Sequence, residues 1–493
     1  MEHLLPAFEL LLQPAVIVAL LIGSVGGVVI GAIPGVGPAV AIAILLPTTF
    51  IFEPLVGLSL LLGIYGSSMY GGALPAILMN TPGTAVNALT TYDGYPLTRK
   101  GQAQRALGLA YSASFFGAVV SIISLVVLMP VLAKVAPMFG SREIFLAALF
   151  GIILMILTHR GQVFAAGMMT CFGILLNTVG MEPINYTQRF TFGQSWLSSG
   201  VNLVVVVLGL FALSQAFLLL SGSDKHVEPQ KISGSVFSAM REFWQHKRVA
   251  AVSSGAGVGI GIIPGVGEFV SQFVAYSYAS RTSKTPEQFG KGAPEGLIAS
   301  EAANNSVPAA ALIPLLALGV PGESLTAMML AVFYVHNVVP GPQLLTGQMD
   351  FVIALYLALL FLNIVALLFL LGSTKTLIRV INIPNRIVGT MVLLFSFVGV
   401  YSLRNSLTDC LIATGFGLFG AILKRLNIPI VPIILGMVLG GIMEAKFRSA
   451  MTRIQSPFDL FDRPISAVLI IAIVGLLLMA LRTAAQHYRR HCT

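Results

Sequence analysis

The sequence predicts an all-α polytopic membrane protein organised as an inverted repeat, with two re-entrant hairpins and two broken transmembrane helices. Three observations predict it. Of 493 residues 56% are hydrophobic and only 10% charged, where soluble domains carry roughly 25% charged residues. Apolar runs such as Ala354–Leu371 and Ile465–Leu481 approach or reach the ~18 to 20 residues that cross ~30 Å of hydrocarbon. A glycine-proline motif occurs twice, between flanks of opposite charge. The composition excludes an ordinary soluble enzyme, and continuous runs without dyad alternation exclude a membrane β-barrel.

The first copy covers 1–220 and opens with Gly31-Ala-Ile-Pro-Gly-Val-Gly37; the second covers 249–442 and opens with Gly261-Ile-Ile-Pro-Gly-Val-Gly267, identical at six of seven positions. Asn80-Thr-Pro-Gly-Thr84 and Gly319-Val-Pro-Gly-Glu323 follow in the same order; the first pair is offset by 230 residues and this one by 239. Cytoplasmic loops are enriched in Lys and Arg. The first Gly-rich segment has no basic residue in its flanks, whereas the second lies between Arg241–Arg248 and Arg281–Lys291. After the second motif the bias reverses: Tyr92–Arg105 carries Arg99, Lys100 and Arg105, and His336–Asp350 carries none. Opposite bias on equivalent loops predicts inverted topology.

The Gly-rich segments begin and end on one side, which predicts hairpins over 14–52 and 249–280, with tips at Pro34–Gly37 and Pro264–Gly267. The next segments begin on one side and end on the other, which predicts broken helices over 55–92 and 296–336. Crossings are expected near 106–129, 143–158, 161–180 and 200–221, then near 351–372, 387–402, 407–423 and 428–442. A final one is expected within 443–493, near 465–482. With the N-terminus outside, 20 of 28 basic residues fall inside and 8 outside. Lys446, Arg448, Arg453 and Arg463, in an expected external loop over 443–463, run against the rule. The polar stretch 221–248 reads as a linker carrying an amphipathic helix at the cytoplasmic interface, its apolar stripe formed by Val236, Phe237, Met240, Phe243 and Trp244; a plain linker is the alternative.

The charge of +9 belongs to these loops and does not argue for nucleic acid. Cys171, Cys410 and Cys492 have neither disulfide-framework nor zinc spacing. Met1–Gln13 lacks the basic start of a cleaved signal peptide.

Breaks in apolar helices free backbone groups that hydrocarbon cannot satisfy. Four breaks paired by symmetry suit a midplane site, with helix N-termini facing an anion and freed carbonyls facing cations. Candidate substrate-binding residues are Pro34, Gly35, Gly37, Asn80, Thr81, Gly83, Thr84, Pro264, Gly265, Gly267, Gly322 and Ser324. Candidate cation-coupling residues are Ser67, Ser68, Asn304, Asn305, Glu268 and Glu323, with Na⁺ a candidate ion whose ligands stay open. The polar residues also fit interhelical hydrogen-bond glue, and the two glutamates also fit helix N-termini favoured by the dipole. Glu301 and Asp409 are weaker acidic candidates. The four broken segments contain no Lys or Arg, so an anion there needs helix ends and bound cations. No catalytic signature emerges: His-Glu-x-x-His, phosphate-loop and Gly-x-Ser-x-Gly patterns are missing, and His487 and His491 lie in a basic tail. An ion channel and, less well, an intramembrane enzyme remain alternatives to a transporter.

The duplicated Gly-x-Ile-Pro-Gly-Val-Gly segments, Asn80-Thr-Pro-Gly83, Pro321-Gly-Glu-Ser324 and Tyr92-Asp-Gly-Tyr-Pro96 together resemble the large membrane subunit of tripartite tricarboxylate transporters. The resemblance implies a multi-pass permease of the bacterial inner membrane, in contact with lipid. It would work with a small four-helix membrane subunit and a periplasmic solute-binding protein that delivers di- or tricarboxylates. It further implies cation-driven secondary transport with Na⁺ or H⁺, no organic cofactor, and an elevator motion of hairpins and broken helices. Importing a trianion against ~100 mV costs ~2.3 kcal/mol per charge, about 7 kcal/mol in all; three co-transported cations cancel that term.

Overall fold

Helix boundaries follow the prolines and glycines. A computed structural model describes residues 3–159, 161–182, 186–222, 236–264, 267–381, 383–452, 459 and 461–491. A short helix α1 (Leu4–Leu11) precedes α2 (Pro14–Gly31), whose first residue is a proline that has no N–H to leave unpaired. The turn over 32–36 reverses the chain into α3 (Gly37–Thr49), and α4 (Pro54–Met79) follows. Asn80, in the left-handed region at φ 55°, stops α4, and a single 3₁₀ turn over Ala85–Asn87 leads to α5 (Thr90–Arg99). Then come α6 (Ala103–Val135), α7 (Ser141–Thr158), α8 (Val163–Thr178), α9 (Leu203–Val207), a π-helical turn at Leu208–Leu213, and α10 (Ser214–Ser221).

The second half begins with α11 (Val236–Phe243), α12 (Lys247–Gly261), α13 (Gly267–Thr282) and α14 (Pro294–Leu318), which Gly319 stops at φ 71°. Next are α15 (Ser324–Val335), α16 (Pro342–Gly347), α17 (Met349–Ile381), α18 (Asn385–Arg404), α19 (Leu407–Arg425), α20 (Val431–Met451) and α21 (Pro464–His491). Among the described residues eight helices are long and apolar enough to cross a membrane. A two-residue antiparallel ladder, Gly180–Met181 with Gln188–Arg189, is a small departure from all-α.

Helices α4 and α14 are central pillars, buried along almost their whole length. Glycine lets α2 press its backbone onto α4: a Cβ on Gly31 would stand 2.2 Å from the Ser68 carbonyl oxygen, and one on Gly71 2.2 Å from that of Val28. In the second half α12 packs on α14 in the same manner. The halves also exchange helices. α1 packs on α17, where His3 Nδ1 meets Asp350 Oδ1 at 2.5 Å. α11 packs on α6, where Arg105 forks onto Glu242 at 2.8 and 2.5 Å. Arg105 holds the Glu242 carboxyl below its ordinary range. The outer helices α18, α19 and α21 expose Leu394, Val398, Leu411, Leu418 and Ile471, an apolar exterior suited to lipid.

Several sequence expectations are corrected. The segment 92–105, expected to be a loop, is mostly the helix α5 and the start of α6. The expected external loop over 443–463 is helical as far as Met451, where Glu444 and Arg448 find partners. Arg189 meets Glu444 at 2.8 Å, and Arg448 meets Glu182 and Glu444 at 2.9 Å each. Arg463 lies 3.5 Å from Glu143, and Arg453 is outside the described residues. The amphipathic helix exists, but Ala239 and Phe243 face the protein while Phe237 and Trp244 are exposed. Residues 223–235 of the linker lie outside the described residues.

Candidate functional site

Two of the predicted elements meet through backbone. The Gly35 N–H at tip one donates to the Gly83 carbonyl at 3.3 Å, and the Gly83 N–H donates to the Gly72 carbonyl at 3.3 Å. Glycine is needed at 83, since a Cβ would stand 2.2 Å from the Gly31 oxygen. Hairpin one and broken helix one therefore touch at their irregular points. Thr84 lies beside Gly37, its hydroxyl donating to Asn87 Oδ1 at 2.5 Å. Pro264 of tip two packs instead on Gly151 of α7; Gly265 lies outside the described residues.

The two predicted glutamates converge although they come from different elements. Glu268 opens α13 and Glu323 precedes α15, its N–H donating to Thr326 Oγ1 at 3.0 Å. Tyr65 of α4 donates to Glu323 Oε1 and lies 3.4 Å from Glu268 Oε1. All three side chains are buried, and no ion pair among the described residues reaches either acid. One turn beyond Glu268, Gln272 donates to the Val86 carbonyl and leaves its own Oε1 without a partner. Nothing in the sequence marks Tyr65 except a hydroxyl amid glycine and serine on an apolar helix.

Glu301 is a buried acid with four side-chain donors. It accepts from Thr90 at 2.5 Å, Ser114 at 2.8 Å, Asn87 at 3.3 Å and Asn305 at 3.5 Å, binding α14 to α5, α6 and break one. Asn305 thereby gives its Nδ2 to Glu301. Asn304, one residue before it, is fully buried with neither amide atom hydrogen-bonded, as is the hydroxyl of Ser67. Ser68 donates to the Tyr65 carbonyl within its own helix at 2.9 Å. Asn80 and Thr81 are exposed and stand apart from these groups; the left-handed cap explains asparagine at 80. Gly322 and Ser324 flank Glu323 at the start of α15, where a carboxylate already faces the helix dipole. Gly267, at φ 74°, turns the chain into α13. Asp409 sits at the start of α19, its N–H bonded to Ser406 Oγ at 3.2 Å.

Asp93, in the Tyr-Asp-Gly-Tyr-Pro stretch, locks the base of this assembly. Its Oδ1 accepts from the N–H groups of Gly290, Gly292 and Ala293 at 2.9, 2.9 and 2.8 Å, and its Oδ2 accepts from Tyr276 at 2.8 Å. One side chain of α5 thus caps the entry to α14 and ties in α13. Burial pushes the Asp93 carboxyl above the usual aspartate range, against the opposing pull of these four hydrogen bonds.

A cavity of about 740 Å³ lies elsewhere. It opens between α7, α8, α15 and α20, with Leu318 and Gly319 at break two, Asn177, Tyr334 and Gln343 on its walls, and Lys446 among its polar groups. None of the predicted site residues lines it. Its mostly apolar wall suits an access route better than an anion site.

Comparison with known proteins agrees with the helical architecture. The sequence profile of the tripartite tricarboxylate transporter TctA family matches residues 17–435. An Agrobacterium vitis protein described as an uncharacterised 52.8 kDa protein in the TAR-I ttuC' 3' region is 34% identical over 478 residues, covering 96% of this chain and 95% of that one. A second, from the TAR-II ttuC' 3' region of the same organism, is 30% identical over 212 residues, 43% of this chain and 88% of that one. No solved structure matches the chain. A match over most of the length, on a multi-pass helical protein, places this chain in the tripartite tricarboxylate transporter TctA family, as a membrane component of a transport system with partner subunits.

Proposed function

We propose that this chain is the permease of a binding-protein-dependent secondary transporter that imports organic di- or tricarboxylates across the bacterial inner membrane, driven by Na⁺ or H⁺. A small membrane subunit and a periplasmic binding protein complete the system. The two halves are inverted repeats, and the hairpins with the broken helices move as an elevator domain against the remaining helices. Supporting the repeat are the paired contacts of α2 with α4 and α12 with α14, and the reciprocal docking of α1 and α11. The cavity at break two serves as the outer vestibule, since Ser141, Asn177 and Gln343 fall on the outside in the topology that the loop charges favour.

The observation that carries the reading is the meeting of Glu268, from tip two, and Glu323, from break two, at the Tyr65 hydroxyl. Two buried acids around one phenol need a counter-charge, and a coupling cation or proton supplies it. Gln272 Oε1 and Asn304 are buried polar atoms without partners near the same elements, consistent with groups that await a ligand. The test is radiolabelled uptake of a carboxylate panel under imposed Na⁺ and pH gradients, with the partner proteins present. Saturable, gradient-driven uptake is expected; unitary currents without such uptake overturn the reading in favour of a channel.

A further inference from the structure

Tip one carries no basic residue of its own, yet the fold delivers one. Gly35 is exposed, its φ is +82°, and a Cβ there would stand 3.2 Å from Gln215 Nε2 of α10. On the other side of the same amide, Gln215 Oε1 accepts from Lys424 Nζ of α19 at 3.1 Å. Lys424 is half-buried, and among the described residues no carboxylate lies within ion-pair distance of it. A half-buried ammonium held by a neutral amide retains donors for an anion.

The two tips differ in charge. At tip two, Glu268 stands in the first turn of α13; at tip one, the first turn of α3 has no acid. Carboxylates therefore guard the helix starts of tip two and break two, whereas tip one faces an amide and a cation. An anionic ligand is repelled at one and received at the other.

We propose that Lys424 and Gln215 are specificity-determining residues that hold one carboxylate of the transported acid against tip one, while the Glu268, Tyr65 and Glu323 group takes the coupling cation. This rests on the carboxylate-importer reading. Lys424 adds the side-chain cation that the broken segments lack, and Gln215 positions it while sensing the tip.

The experiment is uptake kinetics of the full chain with its partner subunits, using acids with one, two and three carboxylates. Lys424→Gln is expected to raise KM at least tenfold, more for a trianion than for a dianion; Lys424→Arg restores most of the affinity. Gln215→Glu is nearly isosteric and neutralises Lys424 in place, so it raises KM while membrane insertion stays normal, which keeps the test valid if Lys424→Gln inserts poorly. Parent protein without saturable carboxylate uptake sinks the importer reading itself. A transporting parent, with KM and charge preference unchanged in Lys424→Gln or in Gln215→Glu, sinks this proposal alone. Equal losses in Lys424→Gln and Lys424→Arg also overturn it, because they assign Lys424 a purely structural role.

Discussion

Replacing Asp93 by alanine removes the single acceptor for three backbone N–H groups and one phenol. The N–H groups of Gly292 and Ala293 are buried, whereas those of Gly290 and the Tyr276 hydroxyl are partly buried and can turn to water. Two buried donors left without partners cost about 1 to 3 kcal/mol each, so Asp93→Ala loses about 2 to 6 kcal/mol. Asp93→Asn keeps an acceptor at the Oδ1 position and should lie within about 1 to 2 kcal/mol of the parent. The two variants also separate charge from geometry. Because burial raises the folded pKa of Asp93, the folded state binds its proton more tightly than the unfolded one. Its contribution to stability is full below the ordinary value of 3.8 and is lost as pH rises through the raised one. Thermal unfolding in detergent across that window should show this slope in the parent and not in Asp93→Asn. The reasoning is refuted if Asp93→Ala unfolds with the parent, or if Asp93→Asn falls as far as Asp93→Ala.

Tyr65→Phe removes the hydroxyl between Glu268 and Glu323 and is expected to weaken the apparent affinity for the coupling ion about tenfold, read as uptake against Na⁺ concentration and pH; an unchanged ion dependence removes Tyr65 from the coupling site. Gly31→Ala forces a Cβ onto the Ser68 carbonyl at 2.2 Å and should cost about 1 to 3 kcal/mol, seen as a lower midpoint in the same unfolding assay. Arg105 lowers the pKa of Glu242, so the support this pair gives α11 is present above the ordinary value of 4.5 and fades as pH falls through the folded one; amide exchange over 236–243 should quicken in acid, and a pH-independent rate, once corrected for intrinsic exchange, counts against the pair. Cysteines at the exposed positions Arg99 and Thr346 should label from opposite sides of the membrane, and labelling from one side rules out inversion.

The breaks were legible because their punctuation is local: Asn80 and Gly319 adopt left-handed caps, and proline with glycine follows each. The convergence on Tyr65 was not, since its partners lie 203 and 258 residues away and no periodicity links a phenol to distant acids. Lys424 reads in sequence as one more inside-facing loop charge, and only the packing of α19 beside α10 brings it to the hairpin. The end of α20 was misread because Glu444, Lys446 and Arg448 look like loop charges. Their helix is sustained by Arg189 and Glu182, which arrive from a loop far upstream. Spacing predicted an apolar stripe through Phe237 and Trp244, but packing on α6 buries Ala239 and Phe243 and leaves Phe237 and Trp244 exposed.

The reciprocal docking of α1 on α17 and α11 on α6 bears on how the chain is made. His3 must wait for Asp350, 347 residues later, which at ~5 to 20 residues per second is about 20 to 70 s of synthesis. During that interval His3 lacks this partner, and Arg105 of α6 lacks Glu242 until α11 emerges. Neither half can finish alone, since each supplies one side of a contact that the other must complete.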